Sequence, residues 1–140
     1  MSNSLRTPAD YEAFLYTLPQ RFPQVQRSTL AFVRLGASLA RVGGVVHFAG
    51  DLRLVVRERL LYDRLPMTID SYGYEVWRGT VKLFWYDSQP HPDDVTLQST
   101  HPHHKHLPPD IRHHRVPAAE MSFDRPNIPL LIEEVLAQGP

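Results

Sequence analysis

The chain has 140 residues, with fifteen basic and fifteen acidic side chains, eight histidines, thirteen prolines and no cysteine. That length suits one ordinary domain, 1–140, able to bury about two-thirds of the surface its unfolded chain would expose, so no disulfide or metal staple is required. The missing cysteines exclude disulfides and thiolate metal sites, and the balanced charge excludes a bulk electrostatic pull toward nucleic acid or membrane; a cytoplasmic, reducing compartment is the expectation.

Met1-Ser2-Asn3-Ser4-Leu5-Arg6 has no apolar core of signal-peptide length, and no later stretch approaches the roughly 20 apolar residues of a membrane helix, so no membrane association is expected. Thr7-Pro8 reads as an N-cap followed by proline at the first helical position, with Tyr11, Phe14, Leu15 and Leu18 at helical spacing and Pro19 and Pro23 as stops. From Ser28 the pattern turns to β, with Leu30 to Leu35 and Val42 to Phe48 as strands and Ala49-Gly50-Asp51 as a hairpin turn. In the next strand Leu52, Leu54, Val56 and Leu60 fall on one face and Arg53, Arg57 and Arg59 on the other. Thr68 to Trp77 and Thr80 to Tyr86 follow as two aromatic-rich strands joined at Arg78-Gly79, so residues 51–86 form an antiparallel meander in a sheet of about four or five strands. Eight of the thirteen prolines then lie between Pro90 and Pro129, which reads as a long loop. Asn127-Ile128-Pro129 opens a last helix, with Leu130, Leu131, Val135 and Leu136 on a common face that must dock. The fold expected is α+β: the meander, an N-terminal and a C-terminal helix on one of its faces, and a His/Pro-rich loop pinned across the domain.

Seven of the eight histidines fall between Asp87 and Arg115. Pro102, Pro108 and Pro109 bias the residues before them to extended backbone, in which His104 and His106 point one way and His103 and Lys105 the other. Three functions fit this cluster. In the first, histidines cleave RNA without a metal: one takes the 2′-hydroxyl proton, one protonates the leaving 5′-oxygen, and a cation steadies the phosphorane. The acid–base candidates are His103, His104, His106 and His91. Lys105 and Arg57 would stabilise phosphate, Asp87 would orient a histidine, Arg53, Arg59, Arg112 and Arg115 would hold the RNA backbone, and Tyr72, Tyr74, Trp77 and Trp85 could stack bases. In the second, His91, His104, His106 and Asp87 bind a divalent transition metal such as zinc or nickel. In the third, the histidines bond backbone carbonyls or water on a loop that serves only as a binding surface for nucleic acid or protein.

Three elements recur in one known family. Tyr72-Gly73-Tyr74-Glu75-Val76-Trp77, Trp85-Tyr86-Asp87-Ser88-Gln89-Pro90-His91 and Pro102-His103-His104-Lys105-His106 stand in the order and spacing of the TumE family of toxin–antitoxin proteins, which the chain resembles from roughly Arg53 to Val135. It departs in having Val76 where many members have tryptophan, with Trp77 one position later. The resemblance implies a toxin neutralised by a cognate antitoxin and, because RNA cleavage is common among small bacterial toxins, it favours the metal-independent ribonuclease with an RNA substrate and no cofactor. A dimer is the candidate oligomeric state.

Overall fold

The computed structural model describes residues 3–139; positions 1, 2 and 140, and with them the start of the segment read as lacking a leader, lie outside the described residues. Thr7 caps α1 (Pro8–Tyr16), its hydroxyl accepting from the Asp10 amide at 3.1 Å, and Pro8 stands in the first turn, where its missing N–H costs nothing. Pro19 does more than end this helix. It sits in the first turn of a second, short one, α2 (Leu18–Arg21).

Among the described residues eight strands make one antiparallel sheet: β1 (Val25–Ser28), β2 (Ala31–Arg34), β3 (Leu39–Phe48), β4 (Leu52–Leu61), β5 (Thr68–Arg78), β6 (Val81–Asp87), β7 (His104–His106) and β8 (Arg115–Pro117). Their order is β1-β3-β4-β5-β6-β7-β8, with β2 also paired to β3. The long β4–β6 meander is the one the alternation predicts. Gly50 (φ 74°) and Asp51 (φ 60°) take the left-handed backbone that a tight hairpin between β3 and β4 requires. The sheet has more strands than expected because β1 precedes the strand predicted at Leu30 to Leu35, which is β2, and because the His/Pro-rich segment adds β7 and β8. That segment is therefore not a bare loop: it carries a 3₁₀ turn at Val95–Thr100 and two three-residue strands that extend the sheet past β6.

α3 (Ile128–Leu136) and α1 cover one face of the sheet. In α3, Ile128, Leu131, Ile132 and Val135 are buried, whereas Leu130 and Leu136, assigned above to the docking face, are each 37% exposed. The helix-covered face carries Leu54, Val56, Tyr74, Val76, Phe84 and Tyr86, all in the core. Among these apolar neighbours lies Glu58, 3% exposed. Its two carboxylate oxygens accept from the hydroxyls of Tyr11 (2.6 Å) and Tyr74 (2.5 Å), and Asn127 donates its amide to the Tyr74 hydroxyl at 3.0 Å. Asn127 does not cap α3 with its side chain; that side chain is inside, also bonding Ser122. Burial holds Glu58 above the ordinary carboxylate range, with the two tyrosine hydrogen bonds pulling it partly back.

Glu58 thus ties α1 to β4 and β5 in the core. Replacing it with alanine leaves the two buried O–H donors of Tyr11 and Tyr74 without their acceptor, each at a cost of about 1–3 kcal/mol. Glu58→Ala is expected to lower the free energy of unfolding by at least about 2 kcal/mol in urea denaturation. A change under about 0.5 kcal/mol would show that the network carries no stability.

Candidate functional site

The face without helices is where the polar chemistry gathers. Antiparallel pairing places Gly43, Arg57, Gly73, Asp87 and His104 opposite one another in a single row across β3, β4, β5, β6 and β7. The neighbouring row runs Val45, Val55, Glu75, Trp85, His106 and Arg115. Because side chains alternate, every residue of these rows projects to the helix-free side, as does the Arg53, Arg57, Arg59 stripe.

His104 and His106 are buried, and their Nε2 atoms meet 3.1 Å apart at the Asp87 carboxylate. His104 Nε2 is 2.8 Å from Asp87 Oδ1 and His106 Nε2 is 3.3 Å from Oδ2. Each ring is oriented by its other nitrogen. His104 Nδ1 lies 3.0 Å from the Pro102 carbonyl and His106 Nδ1 2.9 Å from the Ile111 carbonyl. A carbonyl only accepts, so both Nδ1 atoms carry hydrogen. If both rings were neutral, two lone pairs and a carboxylate would then converge with no donor among them. One cation resolves this: a proton on His104 Nε2, donated to Asp87 and facing His106, or a metal ion held by all three groups, whose ligand atoms lie within 4.8 Å of one another.

Burial alone would push His104 down, but its bonds to Asp87 and to the Pro102 carbonyl overcome that and hold it above the usual imidazole value. Burial dominates at His106 and leaves it below that value, despite Asp87 and the Ile111 carbonyl. Asp87 sits below the ordinary carboxylate range: burial opposes this, and its bonds from His104 and the Gln89 amide prevail. Of the two imidazoles, His104 is therefore the one that holds a proton more firmly, beside a carboxylate that favours its ionised form.

His91 packs edge-on against His104 with ring centroids 4.8 Å apart, and Arg115 Nη1 donates to His91 Nδ1 at 2.7 Å. Arg115 Nε is buried without a hydrogen-bond partner among the described residues, so a guanidinium donor stands beside the cluster. On the other side, Arg57 reaches along its row over Gly73: a Cβ built on Gly73 would lie 2.3 Å from Arg57 Nη2. Among the described residues Arg57 has no ion pair or hydrogen bond. A cleft of about 690 Å³ runs from Arg41, Arg57 and Arg59 to Asp87, Pro90 and Pro102. Asp87 is thus the member of the cluster that opens to the cleft, with the two imidazoles behind it.

The other candidates lie elsewhere. Lys105 points to the helix-covered face, where it pairs with Glu134, itself bonded to the Tyr86 hydroxyl at 2.6 Å. His103 also leaves the cluster, stacking on Tyr72 and lying 2.6 Å from the Tyr72 hydroxyl through Nδ1. Tyr72 and Tyr74 are buried, at 5% and 0% exposure, and present no face to a base. Arg59 is paired with Asp70 at 3.3 Å, and Arg112 is exposed. Arg53 donates to the Gly79 carbonyl at 2.6 Å and lies 5.0 Å over Trp77, while Lys82 lies 3.7 Å over Trp85, so cations already cover both indoles.

A family model described as Toxin TumE matches residues 15–138 of the chain. No curated protein and no solved structure is significantly similar to it.

Gly73 offers a direct check on the row. The atoms a new Cβ would strike are the free end of Arg57, which can move at little cost to the fold. Gly73→Ala is expected to keep the urea midpoint close to wild type while shifting the Arg57 side-chain NMR resonance as its guanidinium leaves the slot. An unshifted resonance in a folded variant would show that Arg57 does not occupy the slot in solution.

Proposed function

The chain belongs to the Toxin TumE family, and on that premise we propose that this toxin acts by cleaving RNA at the Asp87–His104–His106 cluster, without a metal, and is neutralised by a cognate antitoxin. The observation that carries this reading is the convergence of two imidazole nitrogens on one carboxylate with a single proton to share. Their opposite displacements, His104 upward and His106 downward, are those of an acid and a base poised at the same pH.

In this mechanism the scissile phosphate lies in the cleft, bound by Arg57, with Arg115 adding positive potential from the far side. The 2′-hydroxyl loses its proton toward Asp87 and His106. The 2′-oxygen bonds to phosphorus, the bond from phosphorus to the 5′-oxygen breaks, and the leaving oxygen takes the proton held by His104. The products are a 2′,3′-cyclic phosphate and a 5′-hydroxyl. Asp87 is the gate through which protons pass, because it alone of the three lines the cleft. Arg57 acts on the phosphorane charge, where a preorganised cation contributes most.

A second reading has its own support, since the same three ligand atoms, with both Nδ1–H groups held by backbone carbonyls, have the arrangement of a transition-metal site such as one for zinc or nickel. Chelation separates the two. Under the metal-independent mechanism, RNA cleavage by the purified protein survives EDTA and the protein carries less than stoichiometric metal. Activity that disappears on chelation and returns with zinc would move the assignment to the metal.

His104→Ala and His106→Ala are each expected to lower cleavage by at least about a hundredfold while remaining folded. His113→Ala and His114→Ala, at exposed rings away from the cluster, should change it little. The rate should follow a bell in pH, rising as His106 deprotonates below the ordinary imidazole value of about 6.5 and falling as His104 loses its proton above it. Folded His104 and His106 variants that cleave like wild type would refute the assignment.

A further inference from the structure

The helix-free face holds a second basic cleft that the mechanism above does not use. Arg27 on β1 stands opposite His47 on β3, which stands opposite Arg53 on β4, so the three share the face that carries Arg57. They line a cleft of about 540 Å³ together with the β3–β4 turn. Arg27 Nη2 donates to His47 Nε2 at 3.1 Å, which leaves His47 neutral with its remaining N–H free to donate. Arg53 is held by the Gly79 carbonyl and by Trp77, so its guanidinium is already oriented. Neither arginine has a carboxylate partner among the described residues. Among the described residues Asp51 is the single carboxylate lining the cleft, and the two guanidiniums leave it net cationic.

From this arrangement we propose that Arg27, His47 and Arg53 form a phosphate subsite for single-stranded RNA, binding a backbone phosphate beyond those flanking the bond held at Arg57. The proposal rests on the RNA reading of the preceding subsection and extends it to how the strand lies. Residues 53 and 57 are four apart on one strand, about 13 Å at the rise of an extended chain. That is longer than one nucleotide step, so the two sites suit non-adjacent phosphates of an extended strand. An unpaired strand is also what in-line attack by a 2′-hydroxyl needs, because a duplex holds the sugar–phosphate backbone away from that geometry. Two arginines with a neutral imidazole donor are a phosphate-binding set, whereas a stacking platform would need uncovered aromatic faces.

The test uses a fluorescent single-stranded 2′-O-methyl RNA oligonucleotide, which cannot be cleaved through its 2′-oxygen, with the full chain and its Arg27→Ala/Arg53→Ala variant. Anisotropy is measured across a salt series. The variant is expected to bind at least about tenfold more weakly and to lose about 0.7 from the slope of log affinity against log salt, the contribution of one phosphate contact to single-strand binding. The double lysine variant, which keeps charge, should recover most of the slope. Equal affinity and slope in wild type and a folded alanine variant would overturn the subsite. Loss of antitoxin binding with oligonucleotide binding intact would overturn it in favour of a protein-docking surface. Wild-type binding that weakens in the variant, from a protein that cleaves no RNA, would uphold the subsite and reject the catalytic proposal.

Discussion

Two buried imidazoles converge on the Asp87 carboxylate, one oxygen near each Nε2, and the polar half of the molecule is organised around that meeting point. β7 is only three residues long, too short to be held in register by its ladder alone. Its alternate side chains are instead locked: His104 and His106 onto Asp87 on one face, Lys105 onto Glu134 on the other. The same imidazoles reach outward through Nδ1 to the carbonyls of Pro102 and Ile111, so the segments entering and leaving β7 are fixed by the groups that would carry the chemistry. In a site shielded from water these contacts are stronger than they would be at the surface, and an uncompensated member is correspondingly costly.

The sheet divides labour between its faces. The helix-covered side contains the core and its own buried polar network, from Tyr11 through Glu58 and Tyr74 to Asn127. The other side has no helix on it and bears Arg27, Arg41, Arg53 and Arg57 without carboxylate partners among the described residues. Arginines without carboxylate partners on an exposed sheet face repel one another, a mild burden on the folded state. Such a stripe, leading across Gly73 to a carboxylate and two imidazoles, is an arrangement in which an anion supplies the missing compensation. That complementarity supports the proposed polyanionic substrate, which the net charge of zero alone does not suggest.

Much of this was legible in the sequence because it follows from period two. Alternation in β4 separated the arginine stripe from the core. The same rule, with prolines forcing extended backbone, put His104 and His106 on one side and His103 and Lys105 on the other, and the structure has that split. What the pattern could not reveal depends on pairing between distant segments. Glu58 occupies a core position in β4 that alternation marks as apolar, and its tyrosine partners come from α1 and β5. Lys105 looked like a cation for phosphate until Glu134, 29 positions later, became its neighbour. Tyr72 and Tyr74 looked like stacking residues, but their strand lies mid-sheet with helices above it. Gly73 gave no signal beyond its residue type, since the need for a missing Cβ arises only when Arg57 is the cross-strand partner. β7 and β8 carry no strand signal in the sequence, because three residues are too few to show a period.

The central claim is that the Asp87–His104–His106 cluster is where the toxin acts, and that it does so by moving protons on RNA. Sequencing of RNA ends after induced expression of wild type and of Asp87→Asn, a substitution that keeps shape and removes the charge, tests it most directly. The account predicts growth arrest with new 2′,3′-cyclic phosphate and 5′-hydroxyl ends for wild type, and neither for a folded Asp87→Asn protein present at the same level. Arrest by wild type without new RNA ends, or undiminished RNA breakage by the variant, would contradict it.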